Sequence, residues 1–315
     1  MALTLAPRPH SNSHARLHHV LTELSSILVG KDEKIRLALT CLLAGGHLLI
    51  EDIPGVGKTL LARALARILG LPFHRIQFTS DLLPADIIGA SVFDPETRTF
   101  RFDPGPLFTS LLLADEINRA TPRTQSALLE AMEENQVTVE GETRPLPRPF
   151  FVIATENPLQ QAGTYPLPES QLDRFLMCLT LGYPDPESEA RLWRGLDPEQ
   201  HLNQLNPILD ADEVRSLQAQ IEALPVANPV IAYLGQLITR SRESGQFDWG
   251  LSPRGGLALL SAAKAHAWLA GHSSLWPDDL QAVFCAVTAH RLEPGRATLA
   301  RRESIESFLR TVPVP

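Results

Sequence analysis

The stretch Leu48-Leu49-Ile50-Glu51-Asp52-Ile53-Pro54-Gly55-Val56-Gly57-Lys58-Thr59 decides which fold the chain is expected to adopt. Its apolar start predicts a buried strand, its Gly-rich part predicts a loop, and a helical pattern follows from Leu60 to Leu69. This order is the context of a phosphate-binding loop, in which backbone N–H groups and the helix dipole hold phosphate oxygens. Lys58 is then placed to reach the terminal phosphates, and the Thr59 hydroxyl to hold Mg²⁺.

One position departs from the usual pattern G-x-x-x-x-G-K-[ST], because Asp52 stands where that pattern has its first Gly. The half of the loop that touches phosphate is intact, and the first Gly serves only the exit of the chain from the strand. A chance Gly-rich turn is the alternative, but the flanking strand and helix favour nucleotide binding. The predicted nucleotide-binding residues of this stretch are Pro54, Gly55, Val56, Gly57, Lys58, Thr59 and Leu60.

A second stretch, Leu111-Leu112-Leu113-Ala114-Asp115-Glu116, runs from apolar residues straight into two carboxylates. Such a run is typical of a strand buried on both faces of a parallel sheet, where ligands bind at the carboxyl ends of the strands. Asp115 is therefore predicted to hold Mg²⁺, directly or through water, and Glu116 to polarise an attacking water. An acidic strand end is weak evidence alone, and its position after a phosphate loop strengthens it.

A third apolar run, Phe150 to Thr155, predicts another buried strand, and Glu156-Asn157-Pro158 stands at its carboxyl end. In a parallel sheet this end lies beside the end of the strand that carries Asp115. Asn157 either orients the attacking water and contacts the γ-phosphate, or is simply a turn residue before Pro158.

Composition narrows the class of protein. The chain has 315 residues, enough for two domains, and its 28 Lys and Arg against 36 Asp and Glu leave a net charge of −8. That balance argues against nucleic acid as the main partner. The three cysteines are scattered and form no C-x-x-C, which fits a reducing cytoplasm. We see no signal peptide and no apolar stretch long enough to span a membrane, so a cytoplasmic protein is expected.

The pattern along the chain predicts an α/β domain with a parallel sheet, followed by an all-helical domain. Residues 1–19 are expected to be disordered, and residues 20–182 to form the α/β core with two hairpin insertions, at about 91–103 and 137–146. Tyr183-Pro184-Asp185-Pro186 is the best linker, and the helical domain is expected over residues 187–315. The helical patterns of that domain are Glu187–Leu196, Ala211–Ala223, Asn228–Ser244, Pro253–Ala270 and Pro277–Ala289.

Two further positions have two interpretations each. The turn Val29-Gly30-Lys31 either walls the adenine of a bound nucleotide or simply joins two helices, and its spacing does not decide between them. Ser252-Pro253-Arg254 predicts a capped helix start, from which Arg254 either points at a phosphate or is an ordinary surface arginine.

Taken together and in order, these motifs resemble those of an AAA+ ATPase of the MoxR type. The resemblance covers about residues 20–290. It rests on the phosphate-loop stretch 51–59, Leu113-Ala114-Asp115-Glu116-Ile117-Asn118-Arg119-Ala120, Gln125-Ser126-Ala127-Leu128-Leu129-Glu130-Ala131-Met132, Ala154-Thr155-Glu156-Asn157-Pro158, Leu172-Asp173-Arg174-Phe175 and Ser252-Pro253-Arg254.

This resemblance implies an αβα P-loop domain and a helical lid, assembled as a homo-oligomeric ring that is typically a hexamer. It also implies chaperone-like action on client proteins, often with a separate partner that carries a von Willebrand factor A domain. The roles that it implies are Walker A for Lys58 and Thr59, Walker B for Asp115 and Glu116, sensor 1 for Asn157, sensor 2 for Arg254, and an arginine finger acting in the neighbouring subunit for Arg174.

The leading hypothesis is therefore hydrolysis of ATP with Mg²⁺ in a ring that assembles, activates or remodels partner proteins. Lys58, Glu116, Asn157 and Arg174 are its predicted catalytic residues, Gly30 and Arg254 join the phosphate loop as nucleotide-binding residues, and Thr59 and Asp115 are the metal ligands. The alternative is a nucleotide-gated scaffold whose turnover is incidental. A DNA-remodelling motor is disfavoured by the charge of −8.

Overall fold

The structure is a computed structural model that describes residues 9–158, 163–195, 197–293 and 301–314, with side chains from residue 13 onward. The strands in these ranges are β1 Leu48–Glu51, β2 Phe73–Gln77, β3 Gly89–Asp94, β4 Thr99–Pro104, β5 Leu111–Asp115, β6 Gln136–Val139, β7 Glu142–Pro145, β8 Phe151–Glu156 and β9 Met177–Leu179. The helices are α1 Pro9–Ile27, α2 Asp32–Leu43, α3 Lys58–Ile68, α4 Pro84–Ile88, α5 Pro122–Glu134, α6 Glu169–Leu172, α7 Pro186–Trp193, α8 Pro198–Gln204, α9 Ala211–Glu222, α10 Asn228–Glu243, α11 Pro253–Leu269, α12 Pro277–Thr288 and α13 Arg301–Thr311.

A five-stranded sheet with the order β2-β5-β8-β1-β9 forms the centre of the α/β domain, and all of its strand pairs are parallel. Alternate residues of each strand belong to different apolar clusters: Leu111 and Leu113 face the cluster with α2 and α3, whereas Leu112 and Ala114 face the cluster with α5. The sheet is thus covered by helices on both faces, which confirms the predicted αβα fold and the strand patterns that indicated it.

Two antiparallel hairpins interrupt this α/β alternation. The first pairs β3 with β4, and the second pairs β6 with β7, where the sequence predicts them. The hairpins touch each other, because the Ser91 hydroxyl donates a hydrogen bond of 2.6 Å to Glu140 and the Arg144 guanidinium lies 4.2 Å from the centre of the Phe102 ring.

The expectation of disorder over residues 1–19 is wrong for residues 9–19, which belong to α1. Leu17, Val20 and Leu24 follow helical spacing and are buried in the cluster shared with α2 and α3. Arg16 adds a polar contact, since it donates 2.9 Å to the Glu213 carboxylate of α9. Residues 1–8 lie outside the described residues.

Helices α8 to α13 contribute residues to the same apolar cluster as α2 and α3. The chain after α8 also contacts the α/β core directly. The Leu205 carbonyl accepts 2.7 Å from Arg67 Nε of α3, and the Ile208 N–H donates 2.8 Å to the Ile68 carbonyl of α3. Two helices, α8 and α13, occur where the sequence pattern predicted none. For α8 a signal existed, because Asp197 caps it and Pro198 takes its first position.

Within the described ranges, no helix has the combination of length and apolar character that crossing a membrane demands.

Candidate functional site

The loop between β1 and α3 has the backbone of an anion cradle. Gly55 and Gly57 have φ angles of 85° and 98°, and Gly57 directly precedes the first residue of α3. A Cβ atom at Gly55 would meet no atom within 4 Å, so its left-handed backbone, and not crowding, calls for glycine there. Residues 54–60 are thereby gathered around the N-terminus of α3, where free N–H groups and the helix dipole favour phosphate.

Lys58 extends across this loop. Its ammonium group donates 2.6 Å to the carbonyl of Asp52. Burial lowers the pKa of Lys58, while the negative charges of Asp115, Asp52 and Glu116 act in the opposite direction. The lysine therefore lies within the field of the predicted Walker B carboxylates, as a phosphate-binding lysine requires.

Asp115 ends β5, and a buried threonine on the neighbouring strand positions it. The Thr155 hydroxyl donates 2.6 Å to Asp115 Oδ1 and accepts 2.9 Å from the Glu116 N–H. The other carboxylate oxygen of Asp115 accepts 2.6 Å from the Arg75 guanidinium. Sequence reasoning missed Thr155 and Arg75, although the predicted parallel pairing of these strands was the signal that could have identified Thr155.

Glu116 has an unusual backbone for a residue with a side chain, with φ 56° and ψ 52°. Its carboxylate accepts 3.0 Å from the Gln77 amide at the end of β2 and pairs at 2.7 Å with Arg119. A left-handed non-glycine residue costs about 1–3 kcal/mol and persists where the surroundings enforce it, frequently at functional sites. The Thr155, Gln77 and Arg119 contacts supply that enforcement.

Asn157 is 5% exposed and directly follows β8. The residue before it, Glu156, accepts 3.1 Å from the Asp52 N–H at the start of the phosphate loop. Lys58, Asp115, Glu116 and Asn157 thus all belong to the carboxyl edge of the sheet, where ligands bind in such folds.

The donor chemistry at this edge fits Mg²⁺. Thr59 supplies a hydroxyl and Asp115 a carboxylate, and hard cations of this size prefer oxygen ligands. Thr155 and Arg75 hydrogen-bond to the Asp115 carboxylate and so orient it, as neighbouring residues usually do for a metal ligand.

The turn with Gly30 packs against the start of α7. Gly30 has a φ of 73°, and a Cβ atom there would lie 2.5 Å from Ser188 Oγ and 2.7 Å from Asp185 Oδ2. This close approach accounts for glycine at the position, whatever the turn contributes to a nucleotide base.

The two predicted arginines lie at the other end of the sheet. Arg174 and Arg254 share one carboxylate, that of Glu133, at 3.1 and 3.2 Å. Glu133 follows Met132, whose carbonyl lies 3.1 Å from His47 Nε2, and His47 immediately precedes β1. The arginine cluster, Glu133, Arg174 and Arg254, therefore lies at the amino edge of the strands, and Arg254 does not reach across its own chain to the phosphate loop.

A buried arginine that the sequence analysis missed fastens the lid to this edge. Arg291, beyond α12, is 5% exposed in its side chain and pairs at 2.6 Å with Asp173. It also donates 2.7 Å to the Phe175 carbonyl and 3.1 Å to the Leu176 carbonyl. Burial lowers the pKa of Arg291, and Asp173 opposes that shift. The segment that carries Arg174 is thus held by the lid.

Two family models match the chain. Residues 47–177 match the ATPase family associated with various cellular activities (AAA), and residues 239–311 match the AAA lid domain. The first match spans β1 to β9, and the second spans the last helices of the chain.

Proteins of several bacteria are similar along most of their length. The chain is 43% identical to the uncharacterized protein YeaC of Bacillus subtilis, with 89% of this chain and 87% of that protein covered. It is 38% identical to chaperone MoxR1 of Mycobacterium tuberculosis, with 95% and 82% covered, and 31% identical to protein MoxR of Paracoccus denitrificans, with 97% and 98% covered.

Among solved structures, a protein from Cytophaga hutchinsonii described as a candidate ATPase superposes with a TM-score of 0.88. It is 34% identical, and 97% of each chain is covered. Fold, motifs and relatives agree, and the chain belongs to the MoxR-type AAA+ ATPases.

Proposed function

We propose that this protein hydrolyses ATP in a homo-oligomeric ring and uses the turnover to assemble, activate or remodel other proteins. The observation that carries the ATPase proposal is the convergence of Lys58, Asp115, Glu116 and Asn157 at the carboxyl edge, around a loop with the backbone of an anion cradle. These groups are a phosphate-binding cation, a metal-binding carboxylate, a carboxylate for water and a polar amide, which is the set that phosphoryl transfer to water requires.

In this proposal Glu116 positions the attacking water and accepts its proton, while Asn157 orients the water against the γ-phosphate. Lys58 offsets the charge that develops on the phosphate oxygens. Thr59 and Asp115 would hold Mg²⁺, which supplies Lewis-acid stabilisation of the phosphates. The backbone N–H groups of residues 55–60 bind the phosphates, and Pro54, which has no N–H, shapes the start of this loop. The turn at Gly30 contributes to the base side of the site.

The arginine cluster supports a ring. At about 3.3 Å per residue, a strand such as β1 separates the two edges of the sheet by roughly 13 Å, more than an arginine side chain spans. Arg174 and Arg254 therefore have no route to the phosphates of their own chain. A head-to-tail neighbour that presents its carboxyl edge to this cluster would bring both arginines to its nucleotide, and such contacts close into rings.

The wider setting is also part of the proposal. A hexamer is the ring size expected, the cytoplasm the compartment, and protein clients with a separate von Willebrand factor A domain protein the partners. The relative in Mycobacterium tuberculosis is named a chaperone, which supports the client-directed role. Nucleic acid is not expected as a partner, given the net charge of −8.

One observation favours the second candidate function, a nucleotide-gated scaffold. Gln77 and Arg119 both hold Glu116 Oε2, and a carboxylate held by two partners is less free to turn towards a water. A protein that keeps this arrangement with ATP bound would hold the nucleotide and recruit partners with little turnover.

The ATPase rate per chain, measured against protein concentration, tests the proposal. We expect the specific rate to rise with concentration as rings form, and to fall by about 10³-fold in Arg174→Ala, since a trans arginine is worth about 10³–10⁵ in rate. Arg191→Ala, which removes an exposed arginine of α7, is the matched control and should keep the wild-type rate. A slow rate that neither rises with protein concentration nor falls in Arg174→Ala would favour the scaffold.

A further inference from the structure

The segment Leu181–Tyr183 joins the last strand of the core to α7 and is held by a buried lysine. Lys31, 6% exposed, donates to the carbonyls of Leu181, Gly182 and Tyr183 at 2.9, 2.9 and 2.6 Å. An ammonium group has three N–H donors, so the Lys31 side chain is saturated by this one segment. Every backbone carbonyl of the segment is engaged by the same side chain.

The same segment is held from the other side by Asp52. This residue is 5% exposed, and its Oδ2 accepts 2.7 Å from the Gly182 N–H. Its Oδ1 accepts 2.8 Å from the N–H of Ile53, within the phosphate loop. The carboxylate that replaces the usual first Gly of the loop is therefore the group that ties the loop to the chain leaving the core.

The two side chains also support each other. Burial lowers the pKa of Lys31, and the negative charge of Asp52 is the largest influence in the opposite direction. Buried charges are costly unless hydrogen bonds and a favourable field compensate them, and here both groups are hydrogen-bonded to the backbone and lie in each other's field. We call Lys31, Asp52 and the segment Leu181–Tyr183 the clamp, because the two side chains hold the segment by four hydrogen bonds.

We propose that this clamp couples the phosphate loop to the lid, so that a nucleotide bound at the loop fixes the chain segment from which the lid helices depart. Asp52 and Lys31 are positioning residues in this device, because their side chains contact the segment and not the predicted phosphate-binding residues 54–60. The inference rests on the proposed nucleotide site. It predicts that Asp52→Gly leaves a loop that still binds nucleotide, but that binding no longer fixes the segment leading to the lid.

Hydrogen–deuterium exchange of the segment in full-length protein tests the clamp. Pro184 and Pro186 have no N–H, so a peptide over residues 180–186 reports mainly on the amides of the clamp. Without nucleotide, we expect Asp52→Gly and Lys31→Met to speed this exchange by about tenfold or more, because each removes charge-assisted hydrogen bonds. Asp212→Asn and Lys264→Met, which alter an exposed aspartate and a lysine bonded to the Glu222 carbonyl, are the controls and should leave it unchanged.

Addition of ADP gives the second half of the test. In wild type, ADP should slow exchange of the segment further, whereas Asp52→Gly should bind labelled ADP within about threefold of wild-type affinity and show no such slowing. If Asp52→Gly leaves exchange unchanged without nucleotide, or responds to ADP as wild type does, the clamp is overturned. A wild type that binds no ADP would instead refute the nucleotide site. The exchange rates of wild type, Asp52→Gly and Lys31→Met without nucleotide would still test whether the two side chains hold the segment.

Discussion

The two edges of one parallel sheet carry different halves of the proposed ATPase. The carboxyl edge holds Lys58, Asp115, Glu116 and Asn157, and Thr155 links the two carboxylate residues of this set. The amino edge holds Arg174 and Arg254, which share the carboxylate of Glu133, and the Glu133 side chain is 38% exposed. The side chains of Asp115 and Glu116 are 12% and 24% exposed, and those of Arg174 and Arg254 are 27% and 49% exposed. The two arginines are paired with a carboxylate that a phosphate can replace. In our proposal, one chain thus presents a site and, on its opposite edge, a complement to the site of a neighbour.

The largest expected effects come from two variants, each of which inactivates one edge of the sheet and leaves the other edge intact. Glu116→Gln should bind ATP with near-normal affinity and lose about 10²–10⁴ in turnover, because it removes the carboxylate that accepts the water proton. Arg174→Ala should be equally inactive, because it leaves the carboxyl edge intact but removes the arginine that we propose for the neighbour's nucleotide. Phosphate release at saturating ATP gives the turnover, and Glu130→Gln, an exposed glutamate of α5, is the control.

An equal mixture of these two inactive proteins is more informative than either variant alone. In a ring of head-to-tail contacts, about a quarter of the interfaces would join an intact carboxyl edge to an intact amino edge, so about a quarter of the wild-type rate should return. A mixture as inactive as its components, although it forms mixed rings, would mean that the arginine cluster does not serve a neighbour.

A smaller loss is expected for Arg254→Ala. Arg254 is 49% exposed in its side chain and reaches Glu133 and Asp173 at 3.2 and 3.9 Å, without the additional 2.6 Å hydrogen bond that Arg174 makes to the Leu129 carbonyl. We expect turnover to fall by about tenfold to a hundredfold, since a less constrained cation stabilises the transition state less. Steady-state turnover of Arg254→Ala and Arg174→Ala, measured side by side, tests which arginine matters more. A larger loss in Arg254→Ala than in Arg174→Ala would contradict this prediction.

The sequence was sufficient to predict the carboxyl edge but not the amino edge. Apolar runs ending in Asp115 and in Asn157 predict parallel strands, and parallel strands bring their carboxyl ends together whatever the loops do. No comparable rule joins Arg174 to Arg254, because their shared partner Glu133 is on a third element, and only the packing of the lid onto the core brings the three together.

A third prediction concerns the threonine that interlocks the carboxyl edge. Thr155→Val keeps the shape of the side chain but leaves the Glu116 N–H and one oxygen of Asp115 without their hydrogen-bond partner. This should cost about 1–3 kcal/mol in the free energy of unfolding and should also lower turnover, because both carboxylates lose their orientation.

Denaturant unfolding of Thr155→Val and Thr40→Val would measure that cost. Thr40 is the matched control, since its hydroxyl is also buried but donates only to the Arg36 carbonyl of its own helix. Equal losses in the two variants would show that Thr155 contributes no more than any buried hydroxyl.

The smallest effect concerns pH and again belongs to the carboxyl edge. Burial, together with the charge of Glu51 on the adjacent strand, raises the pKa of Glu156 to about 7. Glu156 Oε1 is buried and has no hydrogen-bond partner among the described residues, and Cys178 on β9 is the other titratable group nearby. The folded protein therefore holds a proton at Glu156 that the unfolded chain releases above about pH 4.5.

Because this pKa is raised, its contribution to stability is complete below about pH 4.5 and is lost as the pH rises through about 7. Glu156→Gln mimics the protonated form, so it should match wild type near pH 5 and exceed it by about 1 kcal/mol at pH 8, after allowance for partial exposure. Glu130→Gln, on the exposed face of α5, should show no such trend. Thermal unfolding of the three proteins at both pH values decides the matter, and a Glu156→Gln advantage that is the same at pH 5 and pH 8 would mean that Glu156 is ionised throughout this range.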